Sequence, residues 1–334
     1  MPRSFFRNPD GSLLQSVKQD MQAAVLEFCG TFIFLLLGLG GIQAAAVSNE
    51  AALSATSATD SGGGVSVNRV ASIDQLMFIS AAMGLSLLIA VWLFYRVTGG
   101  VFNPAVSTAL LLVGAIGPVR WALYCAAQLI GGIAAAAVLQ ALLPGPLASN
   151  TTPGGKTNNA QAVFIEMFIT AALVLAVLML AAEKHRSTPF APIGIGLTLF
   201  ACHLFAVIFT GASMNTARSF GPAVVSGFPK AHWVYWVGPF LGSLLATFFY
   251  SILKQIKYWN INPSQDLPDG QSPPGPIETI RSVTLQSKSN LATTPEIVVS
   301  ANTGRVVSVG NMSEGSLQEK HAPSGHAING LNAV

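Results

Sequence analysis

Six long apolar stretches restrict the fold of this sequence more than any other feature. A helix needs about 20 mostly apolar residues to cross a bilayer. The segments that meet this length are roughly 23–47, 75–95, 121–143, 161–182, 190–210 and 232–253. Only 9% of the 334 residues are charged, against about 25% in soluble globular proteins. The chain is therefore predicted to be an all-α membrane protein with lipid around most of its surface.

Two shorter apolar segments, 103–117 and 216–227, follow the second and fifth long stretches. Neither is long enough to cross, because a helix rises only about 1.5 Å per residue, so both are predicted to be half-helices that dip into the membrane. The two halves also begin alike, with Glu27-Phe in the first span and Glu166-Met-Phe in the fourth. Three spans per half invert the second copy, and inverted repeats of this kind place functional groups near the bilayer midplane.

Composition divides the rest of the chain. The predicted segments are a polar N-terminal tail at 1–20, a membrane domain at 21–256 with repeats at about 21–143 and 161–256, an extracellular loop at 48–73, and a C-terminal tail at 257–334. The last segment is rich in Pro, Ser, Asn and Gly, which is typical of disorder. Lys and Arg favour the side that holds both termini, so the termini are predicted to be cytoplasmic. A net charge of only +3 gives no indication of a nucleic-acid partner.

The two half-helices begin at related motifs, Asn103-Pro104-Ala105 and Asn215-Thr216-Ala217. Asn is a preferred N-cap residue, and Pro is tolerated at the first helical position. Two helix N-termini that meet from opposite sides bring partial positive charge to one point. This arrangement is expected to repel cations and protons, while the side-chain amides of Asn103 and Asn215 donate hydrogen bonds to a water oxygen.

Together these motifs resemble those of the aquaporins, the major intrinsic protein family, over about residues 21–256. The matching segments are Glu27–Thr31, Gly84–Ser86, Gly99–Val106, Gly211–Pro222 and His232–Pro239. The resemblance implies six transmembrane helices plus two re-entrant half-helices in two inverted repeats, a homotetramer with one pore per subunit, and no cofactor. It favours the orthodox water-channel type, because Ser219, Ala223 and Tyr235-Trp236 stand where glycerol-conducting relatives carry other residues.

The resemblance also implies roles for individual residues. A selectivity filter is implied at Met83, His203, Ala212 and Arg218. The pore centre is implied at Asn103, Pro104, Ala105, Asn215, Thr216 and Ala217. Pore-lining carbonyls are implied at Gly99, Gly100, Val101, Phe102, Gly211, Ala212, Ser213 and Met214. Glu27 and Glu166 are expected to be structural carboxylates that accept hydrogen bonds from the re-entrant loops, and no metal site is expected.

Two residues depart from the family pattern. Thr216 replaces the proline of the second motif, which restores a backbone N–H and removes a ring that would pack near Pro104. Met83 stands where water channels usually carry Phe, and the flexibility of Met predicts a wider or more variable filter. Hydrogen peroxide, which is close to water in size and polarity, is therefore expected to pass as well.

Several functions remain open at this point. The first is a passive water channel in a lipid bilayer, with the plasma membrane as the expected location. The second is a broader channel that also passes hydrogen peroxide, ammonia or glycerol. An ion-coupled secondary transporter would need membrane carboxylates such as Glu27 and Glu166 for coupling, and a non-conducting scaffold would follow if Thr216 closed the pore. An enzyme is not expected, because the sequence shows no Ser–His–acid set, no metal-ligand cluster and no phosphate-binding loop.

Overall fold

The computed structural model describes residues 13–59, 72–154 and 156–261. The chain divides into two units, Met1–Asp266 and Leu267–Val334, and the second lies wholly outside the described residues. Most of the predicted C-terminal tail at 257–334 and most of the predicted N-terminal tail at 1–20 fall outside them too, and the first residues of the C-terminal segment form a short 3-10 helix at Tyr258–Asn260. The domain boundaries proposed from the sequence therefore stay a prediction.

The described ranges are built from helices and contain no strand. The α-helices are α1 (Leu13–Thr59), α2 (Ile73–Phe94), α3 (Pro104–Leu112), α4 (Pro118–Leu142), α5 (Asn159–Val177), α6 (Ala191–Thr210), α7 (Thr216–Ser226) and α8 (Val234–Gln255). Six of them, with α5 extended by a π-helical turn at Leu178–Ala182, are long and apolar enough to cross a membrane. The remaining two, α3 and α7, have only 9 and 11 residues. The all-α membrane fold with six spans and two half-helices is confirmed.

Several boundaries differ from the prediction, and the first helix begins at Leu13, inside the predicted N-terminal tail at 1–20. The first helix continues to Thr59, so the predicted loop at 48–73 begins as helix. This stretch is rich in Ala and Ser and lacks Pro and Gly, and Ala is the best helix former, so nothing in it ends the helix. The helix α3 stops at Leu112 rather than near 117, because Gly114 takes a φ of 75°, a left-handed conformation that a helix cannot continue through.

Pairs of helices pack in the same way in each half. In the first half α1 packs on α2 and α4, and in the second half α5 packs on α6 and α8. The halves meet where α2 crosses α6 at Gly84 and Gly196. A Cβ on Gly84 would lie 3.0 Å from the Gly196 carbonyl oxygen, and a Cβ on Gly196 would lie 2.9 Å from the Gly84 oxygen. Glycine is therefore needed for the close approach of these two helices.

Each half-helix is seated on a long helix of the other half. The helix α7 packs on α4, and α3 packs on α8. A Cβ on Gly221 would lie 2.3 Å from the Gly132 carbonyl oxygen, so α7 approaches the α4 backbone directly. On the opposite side the Ser243 hydroxyl of α8 donates to the Ala105 carbonyl at 2.6 Å. These contacts fix the positions of the two half-helix N-termini.

Candidate functional site

Both half-helices begin at a capping asparagine with nearly the same backbone conformation. Asn103 has φ −151° and ψ 117°, and Asn215 has φ −152° and ψ 111°. The Asn103 Oδ1 accepts from the Ala105 N–H at 2.8 Å, and the Asn215 Oδ1 accepts from the Ala217 N–H at 2.9 Å. Each side chain thus satisfies backbone donors at its helix start. The two predicted pore-centre motifs therefore adopt the same local structure, with Thr216 in the place of Pro104.

The two asparagines also bind across the repeat. The Asn103 Nδ2 donates to the Met214 carbonyl oxygen at 2.7 Å, and the Asn215 Nδ2 donates to the Phe102 carbonyl oxygen at 2.8 Å. These reciprocal bonds bring the two half-helix starts together in the protein interior, since each asparagine is only 3% exposed. An amide nitrogen carries two hydrogens, so one donor of each asparagine is left for a solute.

Glu27 holds the first re-entrant loop. This carboxylate is fully buried and accepts four hydrogen bonds from the loop before α3 and from α4. The donors are the Thr98 hydroxyl at 2.5 Å, the Val101 N–H at 3.2 Å, the Phe102 N–H at 2.8 Å and the Gln128 amide at 2.9 Å. Lipid cannot solvate loop N–H groups, so these bonds support the structural role predicted for Glu27.

Glu166 holds the second re-entrant loop in the same manner. It is also fully buried, and it accepts from the Thr210 hydroxyl at 2.7 Å, the Ser213 N–H at 2.9 Å and the Met214 N–H at 2.8 Å. Both carboxylates therefore use their acceptor capacity on the protein itself.

The bracing of the loops allows an unusual backbone. The non-glycine residues Phe102, Ala212 and Met214 have φ of 50°, 48° and 53°. The left-handed region costs such residues about 1–2 kcal/mol each, and it persists only where the surroundings fix it. The bonds from Phe102 and Met214 to the two carboxylates supply that constraint. The Phe102 and Met214 carbonyls, both predicted to line the pore, are turned so that they accept from the asparagine amides.

A narrow cavity of about 20 Å³ lies beside the two asparagines. Its lining residues are Phe34, Leu87, Val91, Gly100, Val101, Asn103, Val106, Leu173, Val177, Ile195, Leu199, Ser213 and Asn215. Most of these are apolar, and the polar groups come from the re-entrant loops and the helix caps. A water molecule needs about 10–15 Å³ for its centre, so the cavity holds roughly one water at a time. Gly100, Val101 and Ser213 are the predicted loop residues that line it.

Two of the four predicted filter residues present unpaired polar atoms. The Arg218 Nη1 donates to the Ser149 carbonyl at 2.7 Å, which fixes the guanidinium, while its Nε has no partner. The His203 Nδ1 lies 2.9 Å from the Leu199 carbonyl. A carbonyl only accepts, so Nδ1 carries the proton, and the unpartnered Nε2 of a neutral ring is an acceptor. Both side chains are at least 98% buried, so the Arg218 Nε is a buried donor and the His203 Nε2 a buried acceptor without a protein partner.

Met83 and Ala212, the other two predicted filter residues, are apolar and fully buried. Met83 lies on α2 one helical turn before Leu87, which lines the cavity. Ala212 is held by a bond from its N–H to the Thr210 hydroxyl at 3.1 Å. The four filter residues do not line the 20 Å³ cavity, so the filter assignment stays a prediction. Met83 lies one helical turn from the cavity residue Leu87, and Ala212 lies next to the cavity residue Ser213 in the second re-entrant loop.

A chain of hydroxyl groups includes Ser219, the residue after Arg218. The Thr151 hydroxyl donates to the Ser219 oxygen at 2.8 Å, and the Ser219 and Ser213 oxygens are 2.5 Å apart. These three residues are each 1% exposed. The chain therefore connects the segment that holds Arg218 through the Ser149 carbonyl with the second re-entrant loop.

Several of these supporting residues were not predicted from the sequence. They are Thr98, Gln128, Ser149, Thr151 and Thr210. A signal for two of them does exist, because Thr98 and Thr210 each precede the glycine that opens a re-entrant loop, and an alignment of the two repeats would have paired them. Ser149 acts through its carbonyl oxygen, so its side chain gives no signal.

A family model described as Major intrinsic protein matches residues 14–250. The chain is also similar to an aquaporin of Laccaria bicolor, with 57% identity over 273 residues that cover 81% of this chain and 84% of the relative. It is 50% identical over 240 residues to a protein named Aquaporin-1 of Gibberella zeae, covering 72% of this chain and 71% of the relative.

Among solved structures, the chain resembles the aquaglyceroporin from Plasmodium falciparum with a TM-score of 0.56. The match covers 72% of this chain and 99% of that protein, at 20% sequence identity. At that identity the likeness shows the fold, and it carries no information on the permeant.

Proposed function

The chain belongs to the major intrinsic protein family, and from that premise we propose that it is a passive channel that conducts water and excludes protons and other ions. The family and the six apolar helices make it an integral membrane channel. Water as the main permeant is the proposed part. It rests on the unpaired donor and acceptor at Arg218 and His203.

A water molecule fits these two groups because it donates and accepts at once. Its oxygen would accept from the Arg218 Nε–H, and one of its hydrogens would be donated to the His203 Nε2. At the pore centre, the oxygen would accept from the second N–H of Asn103 or Asn215. A cation could not accept any of these bonds, and it would also meet the Arg218 charge and the positive ends of two helices.

Proton exclusion follows from the same contacts. A proton moves along water only where each molecule donates to the next one. A water that accepts from both Asn103 and Asn215 has its oxygen lone pairs occupied, so it cannot receive a proton from a neighbour. The positive helix ends add an electrostatic barrier at the same point.

Hydrogen peroxide is proposed as a second permeant. It also donates and accepts hydrogen bonds, and it is only slightly larger than water. Met83 is apolar and flexible, so a filter that contains it should pass hydrogen peroxide more readily than a filter closed by an aromatic ring. The alternative permeants ammonia and glycerol have no comparable observation in their favour, and Ser219 and Ala223 argue against the glycerol-conducting type.

An ion-coupled transporter is disfavoured by the state of the two membrane carboxylates. Glu27 and Glu166 accept four and three hydrogen bonds from the protein. A coupling carboxylate must be free to exchange an ion or a proton, and these two are used to hold the loops. We further infer a homotetramer in the plasma membrane with both termini in the cytoplasm, from the family and from the distribution of Lys and Arg.

Reconstituted proteoliposomes test the proposal. Osmotic shrinkage measured by stopped-flow light scattering should be faster than in protein-free vesicles, and peroxide uptake measured with an enclosed dye should rise as well. A proton or sodium current across the same membranes would refute the channel mechanism. Peroxide uptake equal to that of empty vesicles, beside normal water flux, would remove peroxide as a permeant.

A further inference from the structure

We propose that Gly38 determines the width of the selectivity filter, because its missing side chain leaves a recess in α1 that receives the end of Met83. This inference rests on the proposed function, since it concerns which solutes pass the filter. The recess is the space beside Gly38 that is bounded by the Met83 sulfur and the Ser86 hydroxyl. A Cβ built on Gly38 would lie 2.7 Å from the Met83 Sδ and 2.9 Å from the Ser86 Oγ.

The recess lies on the wall of the pore. Phe34 lies one helical turn before Gly38 on α1, and Leu87 lies one turn after Met83 on α2; both line the cavity beside the asparagines. Residues four apart share a helix face. Gly38 and Met83 therefore lie on the same pore wall as Phe34 and Leu87, one helical turn away from the cavity. The Met83 thioether rests against α1 in this wall rather than standing free.

Little other space is available to the Met83 side chain. Met83 is fully buried, and its neighbour Gly84 is in contact with α6, where a Cβ would lie 2.5 Å from the Phe200 Cβ. The Ser86 hydroxyl is also fixed, because it donates to the Met83 carbonyl at 2.9 Å. If the recess were filled, the flexible end of Met83 would therefore turn toward the lumen, where it would narrow the filter.

The substitution Gly38→Ala tests this directly. Alanine is favourable in a helix. Its Cβ would meet the Met83 sulfur, near the end of a flexible side chain, at 2.7 Å and the Ser86 hydroxyl oxygen at 2.9 Å, so these two side chains must move while the backbone of α1 is kept. We expect the ratio of peroxide to water permeability to fall by about ten-fold, comparable to the effect of one methylene group in a close-fitting pocket. The measurement is peroxide uptake and osmotic shrinkage on the same proteoliposomes.

The matched control is Gly40→Ala on the same helix. A Cβ at Gly40 would lie 3.5 Å from the Leu139 Cδ2, an ordinary contact, so this variant should keep the wild-type ratio. A rescue variant separates the recess from a general effect on α1. In Met83→Ala the thioether is absent, so adding Gly38→Ala to it should leave the ratio unchanged. A merely structural role of Gly38 would lower protein yield without this dependence on residue 83.

The proposal is overturned if Gly38→Ala keeps the wild-type ratio, or if it lowers the ratio equally with Met83 and with Ala at position 83. If Gly38→Ala does not assemble, Met83→Phe is the second test, because a rigid ring cannot bend into the recess and must stand in the lumen. Its peroxide to water ratio should fall by about ten-fold, and an unchanged ratio refutes the recess.

Failure of the proposed function gives a different result. Wild-type vesicles that pass water and no peroxide would contradict the peroxide proposal alone. The recess is then tested on water permeability, which should be lower in Gly38→Ala than in Gly40→Ala and should be restored by the added Met83→Ala. Equal water permeability of the two alanine variants would overturn the recess in that case.

Discussion

The two inverted halves hold their re-entrant loops in the same way, but they use an equivalent serine differently. Ser107 and Ser219 each lie four residues after a capping asparagine. In the first half the Ser107 hydroxyl bonds with Gln128 at 3.1 Å, and Gln128 in turn donates to Glu27. In the second half Ser219 bonds with Thr151 and is 2.5 Å from the Ser213 oxygen.

The two halves therefore use an equivalent serine for different contacts on the same scaffold. In the first half, the serine and a glutamine help to hold a carboxylate in place. The second half supports Glu166 with one donor fewer, and its serine is free to join the segment that holds Arg218. The residue equivalent to Arg218 in the first half is Val106, also three residues after the asparagine. The two halves therefore hold their loops in a similar way, whereas three of the four predicted filter residues, His203, Ala212 and Arg218, lie in the second half.

Removal of the carboxylates should have the largest effect. Glu27→Ala leaves four donors without their acceptor and Glu166→Ala leaves three, and each unsatisfied buried group costs about 1–3 kcal/mol. We expect both variants to lose most folded protein, with Glu27→Ala the more severe. The fraction recovered as monodisperse protein in detergent measures this. The control variants Glu27→Gln and Glu166→Gln keep an acceptor oxygen and should be recovered better; equal recovery of alanine and wild-type proteins would contradict the bracing role.

The next largest effect is expected when Arg218 of the second half is replaced by valine, the residue at the equivalent position of the first half. Arg218→Val removes the fixed charge and the unpaired donor, so urea and glycerol permeability should rise by at least about ten-fold, which corresponds to about 1.4 kcal/mol of barrier. Solute uptake by light scattering and proton entry by an enclosed pH dye are the two measurements. Val106→Ala is the comparison in the first half; because Val106 lines the cavity, it shows how much of the effect comes from lost side-chain volume alone. A variant that still rejects these solutes would show that the filter lies elsewhere.

Substitution of the two serines should distinguish a role in holding the loops from a role in selectivity. Ser107→Ala and Ser219→Ala should each lower thermal stability by about 1 kcal/mol, the value of one hydrogen bond. Only Ser219→Ala should also alter the ratio of water to solute permeability, because Ser219 joins the Thr151 segment to the second loop near Arg218. The readouts are the unfolding temperature in detergent and the permeability ratio in vesicles. If both serine variants keep the wild-type ratio, the hydroxyl chain has no part in the filter.

Replacement of Thr216 in the second motif by proline should have a small effect on water flux. Thr216→Pro removes the bond from the Thr216 hydroxyl to the Tyr235 carbonyl, 3.1 Å long, but Asn215 still accepts from the Ala217 N–H. Pro is tolerated at the first helical position, so water flux should stay within about three-fold of wild type. The reverse exchange Pro104→Thr is the counterpart in the first half. A change between a conducting and a closed channel would contradict the equivalence of the two motifs.

The smallest effect is expected at the ends of α5 and α8. Burial alone would raise the pKa of Glu183, but the bonds from Lys254 and Tyr250 outweigh it and lower the pKa below the ordinary value of 4.5. A lowered carboxyl pKa stabilises the folded state above pH 4.5, and this contribution is lost as the pH falls through the lowered value. Unfolding temperatures of wild type and Glu183→Gln should therefore differ at neutral pH and converge in acid. The first half has its own pair, Arg120 with Asp20 at 2.6 Å, and Asp20→Asn is the comparison.

The amount that could be predicted differs between the helices and the site. Apolar length predicted the six spans, and the short segments after the second and fifth spans predicted α3 and α7. The end of α1 was missed, because the Ala- and Ser-rich stretch after residue 47 is compatible with loop or helix. The capping of α3 and α7 by Asn103 and Asn215 was visible because a cap depends on adjacent residues.

The contacts that organise the site could not be predicted in the same way. Glu27 was expected to bind the loop, yet its contact with Gln128 joins residues 101 positions apart. The Ser149 carbonyl that fixes Arg218 leaves no trace in the sequence, because every residue has a carbonyl. The recess for Met83 depends on an absent side chain at Gly38 on another helix.

The membrane class, the two inverted repeats and the two capped helix starts can be read from the sequence, since each depends on apolar length or on residues a few positions apart. The packing of the helices is needed to know which groups stay unpaired in the interior, the Arg218 Nε and the His203 Nε2 among them, and where the Met83 side chain lies. Hydrogen bonding of a buried polar group and the filling of space depend on all the neighbours together, and these neighbours come from distant parts of the chain.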